Sequence, residues 1–260
     1  MNGLTIFSHS VRQVLGNLGI ALRTSIGVFL ALIAAGFIFG LLLALSGSPV
    51  LGFFLGIGLL VFIIWGVSLI AVVWHRFILL EERPSGFIPT RPELRIWSYF
   101  WYGVGIALIV LAVFFVLFFV ARLFVDSEVI LAAFDQEQVS LAPRDIALRF
   151  IVGIISSVIY LRLALMLPAV ALNEEFSLVE SWQETKPFFG AVIVVSLALS
   201  LLNGVVMFGL GMALFFVAGS GALIFGVSVL ILAFNWFYFM LNISILSTLY
   251  GHIVQKREVY

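Results

Sequence analysis

The sequence predicts an all-α, polytopic transmembrane helical bundle with six spans and an amphipathic helix at its N-terminus. The first observation is composition: the 260 residues are 63% hydrophobic and only 10% charged, whereas a soluble domain carries about a quarter charged residues. The second is a mean hydropathy of +1.26. The third is that the apolar residues form continuous runs, while the strands of a membrane β-barrel alternate over about 10 residues. Together they exclude a water-soluble core and a barrel.

Six apolar runs each supply the roughly 20 residues that a helix needs to cross a bilayer core of about 30 Å. They cover residues 25–45, 51–80, 98–125, 146–172, 188–217 and 222–250. Short polar or Gly/Pro-containing breaks separate them, and the polar stretch 126–145 is the longest. We therefore expect one membrane domain over residues 1–260.

Residues 1–24 precede the first span and predict a helix that lies in the membrane interface. Apolar side chains recur there at helical spacing, and polar side chains take the other positions. The apolar set is Leu4, Phe7, Val11, Val14, Leu15, Leu18 and Leu22, and the polar set is Ser8, His9, Arg12, Gln13 and Asn17.

The distribution of Lys and Arg predicts the orientation. With both termini in the cytoplasm, that side holds Arg12, Arg23, Arg76, Arg83, Arg91, Arg95, Lys186, Lys256 and Arg257, and the other side holds Arg122, Arg144 and Arg149. This positive-inside bias predicts that both termini lie in the cytoplasm. The balance of 13 basic against 13 acidic residues lacks the basic excess of a nucleic-acid binder.

Two helical hairpins look alike at an offset of 93 residues, which aligns Glu81 and Glu82 with Glu174 and Glu175. In both places a long span runs into the acidic pair, and a capping-box pattern predicts that a helix begins just after it. These boxes are Thr90-Arg-Pro-Glu93 and Ser177-Leu-Val-Glu180. A tandem parallel repeat of 51–125 and 144–218 is one reading; the other is that hairpins with polar cytoplasmic turns simply resemble one another.

The second of these units, from Arg162 to Lys186, resembles a known pattern. Leu165, Leu167 and Pro168 lie near the end of a span, and a short acidic turn follows. The next span is preceded by the motif Ser177-x-x-x-Ser181-Trp182-x-x-Thr185. This resembles the YciC-type bacterial membrane proteins and the membrane domains attached to some glycerophosphodiester phosphodiesterases. The resemblance implies a helical cytoplasmic-membrane protein. It carries no phosphodiesterase activity to this chain, because no polar stretch is long enough for that catalytic domain.

The sequence favours a protein without catalytic activity and without a cofactor. Gly219-Ser220-Gly221 is similar to an intramembrane serine-protease loop, but Ala218 stands where that loop has glycine. A serine nucleophile also needs a base, and none of the three histidines lies deep in a span. We expect His75 and His252 to be solvated histidines at the interface rather than haem ligands. The absence of cysteine excludes disulfides and thiolate metal sites.

Arg162 is the most informative residue, because a charge about 15 Å inside the cytoplasmic end of a span is costly. One reading is an anion or lipid headgroup bound by an unpaired guanidinium. The other is that Pro168 bends the helix and Arg162 snorkels or donates to freed carbonyls. Four polar residues on spans five and six allow two interpretations. They form a candidate polar region together with Arg162, or they make hydrogen bonds between helices that fix the packing. They are Ser200, Asn203, Asn235 and Asn242.

With the resemblance, the predicted function is an integral membrane accessory or scaffold protein of a bacterial cytoplasmic (inner) membrane, which associates with lipids or with a larger membrane complex. The alternative is a small-molecule transporter or channel that uses the polar region between spans four to six. Gly36-x-x-x-Gly40 and Gly52-x-x-x-Gly56 permit close helix approach. They either pack the bundle or allow a homo-oligomer.

Overall fold

The computed structural model describes residues 2–84, 95–123 and 143–258. This part of the chain is helical and contains no strand, which confirms the all-α prediction. Six of its helical stretches are long and apolar enough to cross a membrane. The helices are α1 (Gly3–Gly16), α2 (Leu18–Ser46), α3 (Pro49–Leu80), α4 (Ile96–Leu123), α5 (Pro143–Ala164), α6 (Met166–Leu172), α7 (Leu178–Glu184), a 3₁₀ turn (Lys186–Phe188), α8 (Phe189–Phe216) and α9 (Gly221–Ile253).

The bundle has two unlike ends. We call the end that carries α1, α7 and residues 254–258 the basic end, and the end with the turns at 47–48 and 217–220 the opposite end. Contacts across the basic end join distant parts of the chain: Arg257 donates to the Leu79 carbonyl at 2.6 Å, and Arg76 donates to the Ala171 carbonyl at 3.0 Å. The spans therefore meet there as one packed unit.

The core lies at the basic end. Buried residues are concentrated at 66–79 of α3, 158–172 of α5 and α6, 191–199 of α8, and 240–253 of α9. In the half of the bundle towards the opposite end, large apolar side chains such as Phe53, Phe208 and Phe225 are exposed on the helix surfaces. Hydrocarbon can solvate such side chains, so a membrane helix does not need to bury them in protein.

The N-terminal helix differs from the prediction in length and in placement. It ends at Gly16, because Asn17 leaves helical geometry and its side-chain amide donates to the carbonyl of Gln13 at 2.9 Å; glycine and asparagine are weak helix formers. A second helix, α2, then starts at Leu18 rather than near residue 25. Moreover, α1 packs against α8 and α9 instead of only lying in an interface.

The fit of α1 is close. A Cβ on Gly3 would lie 2.4 Å from the carbonyl oxygen of Ala191 and 2.6 Å from Cβ of Val194. Ser10 and Val14 are fully buried, so one predicted apolar position and one polar position both face the bundle. Leu4 and Leu15 of the predicted apolar stripe point outwards.

The fourth span is broken, where one helix over 146–172 was expected. α5 ends at Ala164 and α6 begins at Met166. Pro168 lacks an N–H and its ring clashes with the carbonyl four residues earlier, which is that of Ala164. The interruption therefore lies where Pro168 removes the helical hydrogen bond to Ala164. The third and fifth spans are continuous over Ile96–Leu123 and Phe189–Phe216.

The features behind the predicted repeat are only partly within the described residues. The capping box of Ser177 and Glu180 is present and starts α7. The matching box at 90–93 and most of the polar stretch 126–145 lie outside the described residues. The tandem repeat stays a prediction.

The glycine pairs do not pack this bundle tightly. A Cβ on Gly36, Gly40 or Gly56 would meet nothing within 4 Å, and a Cβ on Gly52 would meet only the flexible end of Leu43. A close helix contact occurs instead at Gly66, where Cγ1 of Val28 lies 2.8 Å from an added Cβ. Packing within this chain thus does not explain why positions 36, 40 and 56 are occupied by glycine.

Candidate functional site

Arg162 is held by the short helix α7. Its Nε donates to Oγ1 of Thr185 at 3.1 Å and its Nη2 donates to the carbonyl of Trp182 at 2.7 Å. The guanidinium carbon lies 3.5 Å from the centre of the Trp182 ring, a cation–π arrangement that suits a planar, weakly hydrated cation. Only 7% of Arg162 is exposed.

Ser181, which lies on α7 next to Trp182, makes further contacts with the fourth span. Its hydroxyl lies 2.6 Å from the carbonyl oxygen of Arg162 and 3.0 Å from that of Leu163. These carbonyls lie next to the helix break at Leu165, where backbone acceptors need new donors. The Ser181-Trp182-x-x-Thr185 pattern therefore docks α7 onto the broken span, with every named side chain making a contact.

The partners of Arg162 differ from those expected. The sequence predicted either an unpaired guanidinium that binds an anion or one that snorkels or donates to carbonyls freed by Pro168. The donors instead reach Thr185 and the carbonyl of Trp182 at α7. Contacts with α7 had no sequence signal beyond the capping box, because Arg162 and Thr185 are paired only by the tertiary fold.

The other residues of the candidate polar region do not converge on Arg162. Its nearest contact on span five is Phe189, whose ring centre is 5.5 Å away, and Asn203 lies 14 residues further, about 21 Å along a helix. Asn235 and Asn242 donate to the carbonyls four residues earlier in their own helix, at 2.8 and 2.7 Å. The structure gives Ser200 and Asn203 no side-chain hydrogen bond within the described residues.

The acidic pairs at the ends of the second and fourth spans take different roles. Glu82 receives two hydrogen bonds from Arg76, at 2.9 and 2.7 Å, and Glu81 adopts a left-handed conformation (φ 59°) that ends α3. Glu174 accepts a hydrogen bond from the Tyr250 hydroxyl. Glu175 is exposed and forms no ion pair or hydrogen bond within the described part of the chain.

His75 is not the solvated interfacial histidine that the sequence suggested, because it is fully buried. Its Nδ1 lies 2.8 Å from Oγ of Ser247 and its Nε2 lies 3.1 Å from the Tyr99 hydroxyl. Ser247 also donates to the Ile243 carbonyl at 3.0 Å. With its proton used there, Ser247 accepts from Nδ1–H, and Nε2 accepts from Tyr99.

This arrangement does not activate a nucleophile. A catalytic serine donates its proton to the histidine, whereas Ser247 donates to its own helix. The three side chains instead join α3, α4 and α9 through satisfied buried hydrogen bonds, which specify how helices pack in a membrane.

A second polar cluster attaches α1 to α9. Oε1 of Gln13 accepts from Ser244 and Thr248, each at 3.1 Å, and Nε1 of Trp74 donates to Ser244 at 3.2 Å. Nε2 of Gln13 lies 3.1 Å from Nε2 of His9. Partial burial, and to a smaller extent Arg12, lower the pKa of His9. The neutral imidazole can then accept from the Gln13 amide.

A cleft of about 610 Å³ lies between the start of α4 and the turn before α7. Its polar lining comprises Arg95, Ser98 and Tyr102 at the start of α4, and Glu174, Glu175, Ser177 and Glu180 from the turn and α7. The carboxylates do not converge as a metal site, since the described residues contain no metal-binding group of three or more His, Cys, Asp or Glu. We call this the mixed-charge cleft.

One carboxylate at the cleft has a perturbed pKa. The backbone N–H and the hydroxyl of Ser177 both donate to Glu180, each at 2.7 Å. These hydrogen bonds favour the ionised form and lower the pKa of Glu180 below its ordinary value of 4.5. The carboxylate is thus kept charged at the rim of the cleft.

Exposed aromatic side chains surround the first turns of α4. Trp97 and Trp101 are 59% and 65% exposed, and Tyr102 is half exposed. Tryptophan and tyrosine concentrate at the headgroup level of a bilayer, where one part of the ring is wet and the other apolar. Tyr102 also lines the mixed-charge cleft, so the cleft lies beside the same turns of α4 as these aromatic residues.

No family model, curated protein or solved structure matches this chain. The site is therefore interpreted from its own residues. Sequence reasoning found Arg162 and the acidic turn but missed Arg95, His75 and Gln13. The spacing Ser244, Ser247, Thr248 near the end of the last span was the available signal, because it puts three hydroxyls on adjoining faces of one helix.

Proposed function

We propose that this integral membrane protein is a non-enzymatic accessory or scaffold protein of a bacterial cytoplasmic membrane, with both termini in the cytoplasm. It associates with lipids and with subunits of a larger membrane complex. The resemblance of residues 162–186 to YciC-type membrane proteins, and the Lys/Arg distribution, support the membrane and the orientation.

The proposal rests on a difference between the two halves of the bundle in what the side chains contact. At the basic end, Arg162, His75 and Gln13 contact their own chain. In the other half, apolar side chains such as Phe208 and Phe225 remain 72% exposed. Helix surfaces of this kind suit contact with acyl chains and with other membrane helices.

Catalysis and transport lack an equivalent basis. The buried Ser247 donates to the Ile243 carbonyl and lies 2.8 Å from Nδ1 of His75, an arrangement that links two helices. The transporter or channel alternative depended on a polar region that includes Arg162, Asn203 and Asn242. Their side chains form no hydrogen bond with one another within the described residues, so that alternative rests on the sequence pattern.

Photo-crosslinking tests the proposal directly. A benzoylphenylalanine placed at Phe208 or Phe225 should yield discrete protein adducts in native membranes. The same probe at Val179 of α7, which is 63% exposed at the basic end, is the matched control for exposure and should give a different pattern. Adducts to lipid alone, together with a chain that purifies alone in mild detergent, would refute the scaffold role.

Two further measurements separate the alternatives. Substrate flux in proteoliposomes that is abolished by Asn203→Ala and Asn242→Ala would favour a transporter. Reporter fusions after Ser48 and Gly219 should report the external side, and a fusion at the C-terminus should report the cytoplasm. A cytoplasmic signal after Ser48 would contradict the proposed orientation.

A further inference from the structure

We propose that the mixed-charge cleft binds the headgroup of a zwitterionic phospholipid with a primary ammonium, the phosphate lying against Arg95 and the ammonium against Glu175. The inference rests on the proposed association with lipids and names the lipid chemistry. Phosphatidylethanolamine is the common lipid of this type.

The cleft holds opposite charges that do not neutralise each other. Arg95 and Glu175 both line it, yet neither side chain forms an ion pair or a hydrogen bond within the described residues. The guanidinium of Arg95 can therefore donate to a ligand, and the carboxylate of Glu175 can accept from it. A ligand that carries both a negative and a positive charge can use both groups. The side chains of Ser98 and Tyr102, likewise without a hydrogen bond there, add neutral donors on the α4 wall.

The balance of charge selects the ligand. One guanidinium faces the three carboxylates of Glu174, Glu175 and Glu180, so the lining has a formal excess of negative charge. Glu180 stays ionised because of its hydrogen bonds to Ser177, and Glu174 uses one oxygen for Tyr250. An anionic headgroup would face repulsion here, whereas an ammonium finds several acceptors.

A primary ammonium fits better than a quaternary one. Its three N–H donors need acceptors, which carboxylate oxygens provide. A trimethylammonium cannot donate hydrogen bonds and is normally enclosed by aromatic faces. Tyr102 and Phe176 are the aromatic residues that line the cleft, and the carboxylates outnumber them.

The position along α4 points to a lipid rather than a solute. The exposed Trp97 and Trp101 lie on the same turns of α4 as Ser98 and Tyr102, which line the cleft, and such residues favour the headgroup level of a bilayer. The face of α4 that carries Arg95, Ser98 and Tyr102 continues at helical spacing to Gly105, where an added Cβ would meet nothing within 4 Å, and to Ile109, which is 41% exposed. An acyl chain can lie along this open apolar face while its headgroup occupies the cleft.

The test is native mass spectrometry of the full chain, delipidated in mild detergent and titrated with lipids of identical acyl chains. We expect phosphatidylethanolamine to bind about tenfold more tightly than phosphatidylglycerol, because about 1.4 kcal/mol of differential interaction gives that factor. Binding of phosphatidylcholine should be intermediate. Equal affinity for phosphatidylethanolamine and phosphatidylglycerol would overturn the proposal.

Variants locate the site. Glu175→Gln and Arg95→Gln should each weaken binding of phosphatidylethanolamine about fivefold to tenfold, as expected for one charge-assisted hydrogen bond. Glu184→Gln is the matched control, since this exposed acid on α7 does not line the cleft. Each variant's thermal unfolding midpoint should equal that of the wild type. Indistinguishable binding by Glu175→Gln and Glu184→Gln would also overturn the proposal.

A soluble competitor distinguishes the two sources of this headgroup chemistry. Glycerophosphoethanolamine has no acyl chains and should not displace bound lipid at equal concentration. Displacement at that concentration would assign the cleft to a free solute and refute the lipid. Crosslinking from positions 208 and 225 is independent of this cleft, so failure here is distinguishable from failure of the scaffold role.

Discussion

Helix α9 passes through two unlike regions of the molecule. Leu232 is 66% exposed, whereas Leu246, 14 residues later, is fully buried. The same contrast holds along α3, which is exposed at Phe53 and buried at Trp74. Both regions contain many large apolar residues, so the presence of leucine or phenylalanine alone does not tell which side chains are buried.

The difference lies in the polar and small residues. At the basic end Gln13, His75 and Arg162 each link two or more helices. Trp236 of α9 donates to Ser25 of α2 at 2.8 Å. Beyond that point towards the opposite end, no side-chain hydrogen bond joins two helices within the described residues, and Ser228 bonds only to its own helix. Leucine gains little by leaving hydrocarbon for protein, so interhelical hydrogen bonds and close packing decide where a membrane bundle becomes tight.

The largest expected effect compares two leucines on one helix. Leu246→Ala should lower the free energy of unfolding by about 2–5 kcal/mol, because it leaves a cavity in the packed core. Leu232→Ala should change it by less than about 0.5 kcal/mol, since lipid or detergent fills the space. Unfolding in a graded SDS titration measures both. Similar losses for the two variants would mean that the regions do not differ in packing.

Substitutions of Arg162 test the link between α5 and α7 at the basic end. Lysine keeps the charge but cannot stack on Trp182 while donating to both its carbonyl and Thr185. We therefore expect Arg162→Lys and Arg162→Ala to lose similar stability, about 1–3 kcal/mol, with Arg83→Lys as the exposed control.

A local readout accompanies that comparison. Cleavage after Glu180 or Glu184 by a glutamate-specific protease should accelerate in both Arg162 variants, because α7 is released. If Arg162→Lys keeps the protection and stability of the wild type, Arg162 serves only as a snorkelling charge.

Two glycine substitutions compare the packing at the basic end with the packing in the exposed half of the bundle. Gly3→Ala should cost about 1–3 kcal/mol, because the new Cβ would clash with Ala191 and Val194 and displace α1. Gly36→Ala in the exposed half of α2 has open space and should be neutral or stabilising by up to about 1 kcal/mol. Thermal unfolding in one detergent measures both. A destabilising Gly36→Ala would instead indicate that a second helix covers this face.

The smallest expected effect is a pH dependence at α7. Since Glu180 has a lowered pKa in the folded protein, its contribution to stability is present above 4.5 and is lost as the pH falls through the folded value. A carboxyl NMR titration should show this lowered pKa, and Ser177→Ala should move it back towards 4.5. Glu184→Gln should leave the Glu180 titration unchanged. An unshifted Glu180 in the wild type would show that the capping box does not form in solution.

Local features of the fold were predictable because they depend on neighbouring residues. The spans are marked by continuous apolar runs, and five of the six were placed within a few residues of their observed ends. Ser177 and Glu180 start α7 as a capping box, and Pro168 accompanies the broken fourth span. Of the candidate site, the acidic turn at Glu174 and Glu175 was visible because it interrupts the apolar sequence.

Only the tertiary structure decided which faces meet. The spans are apolar on nearly all sides, so the rotation of each helix about its axis leaves no mark in the sequence. Arg162 needs α7, His75 needs residues from two other helices, and Arg95 joins the acidic turn through space. The sequence by itself thus determined a six-span apolar bundle with charged turns, because membrane insertion depends on local hydropathy. The tight basic end depends on interhelical geometry, which arises only when the helices pack.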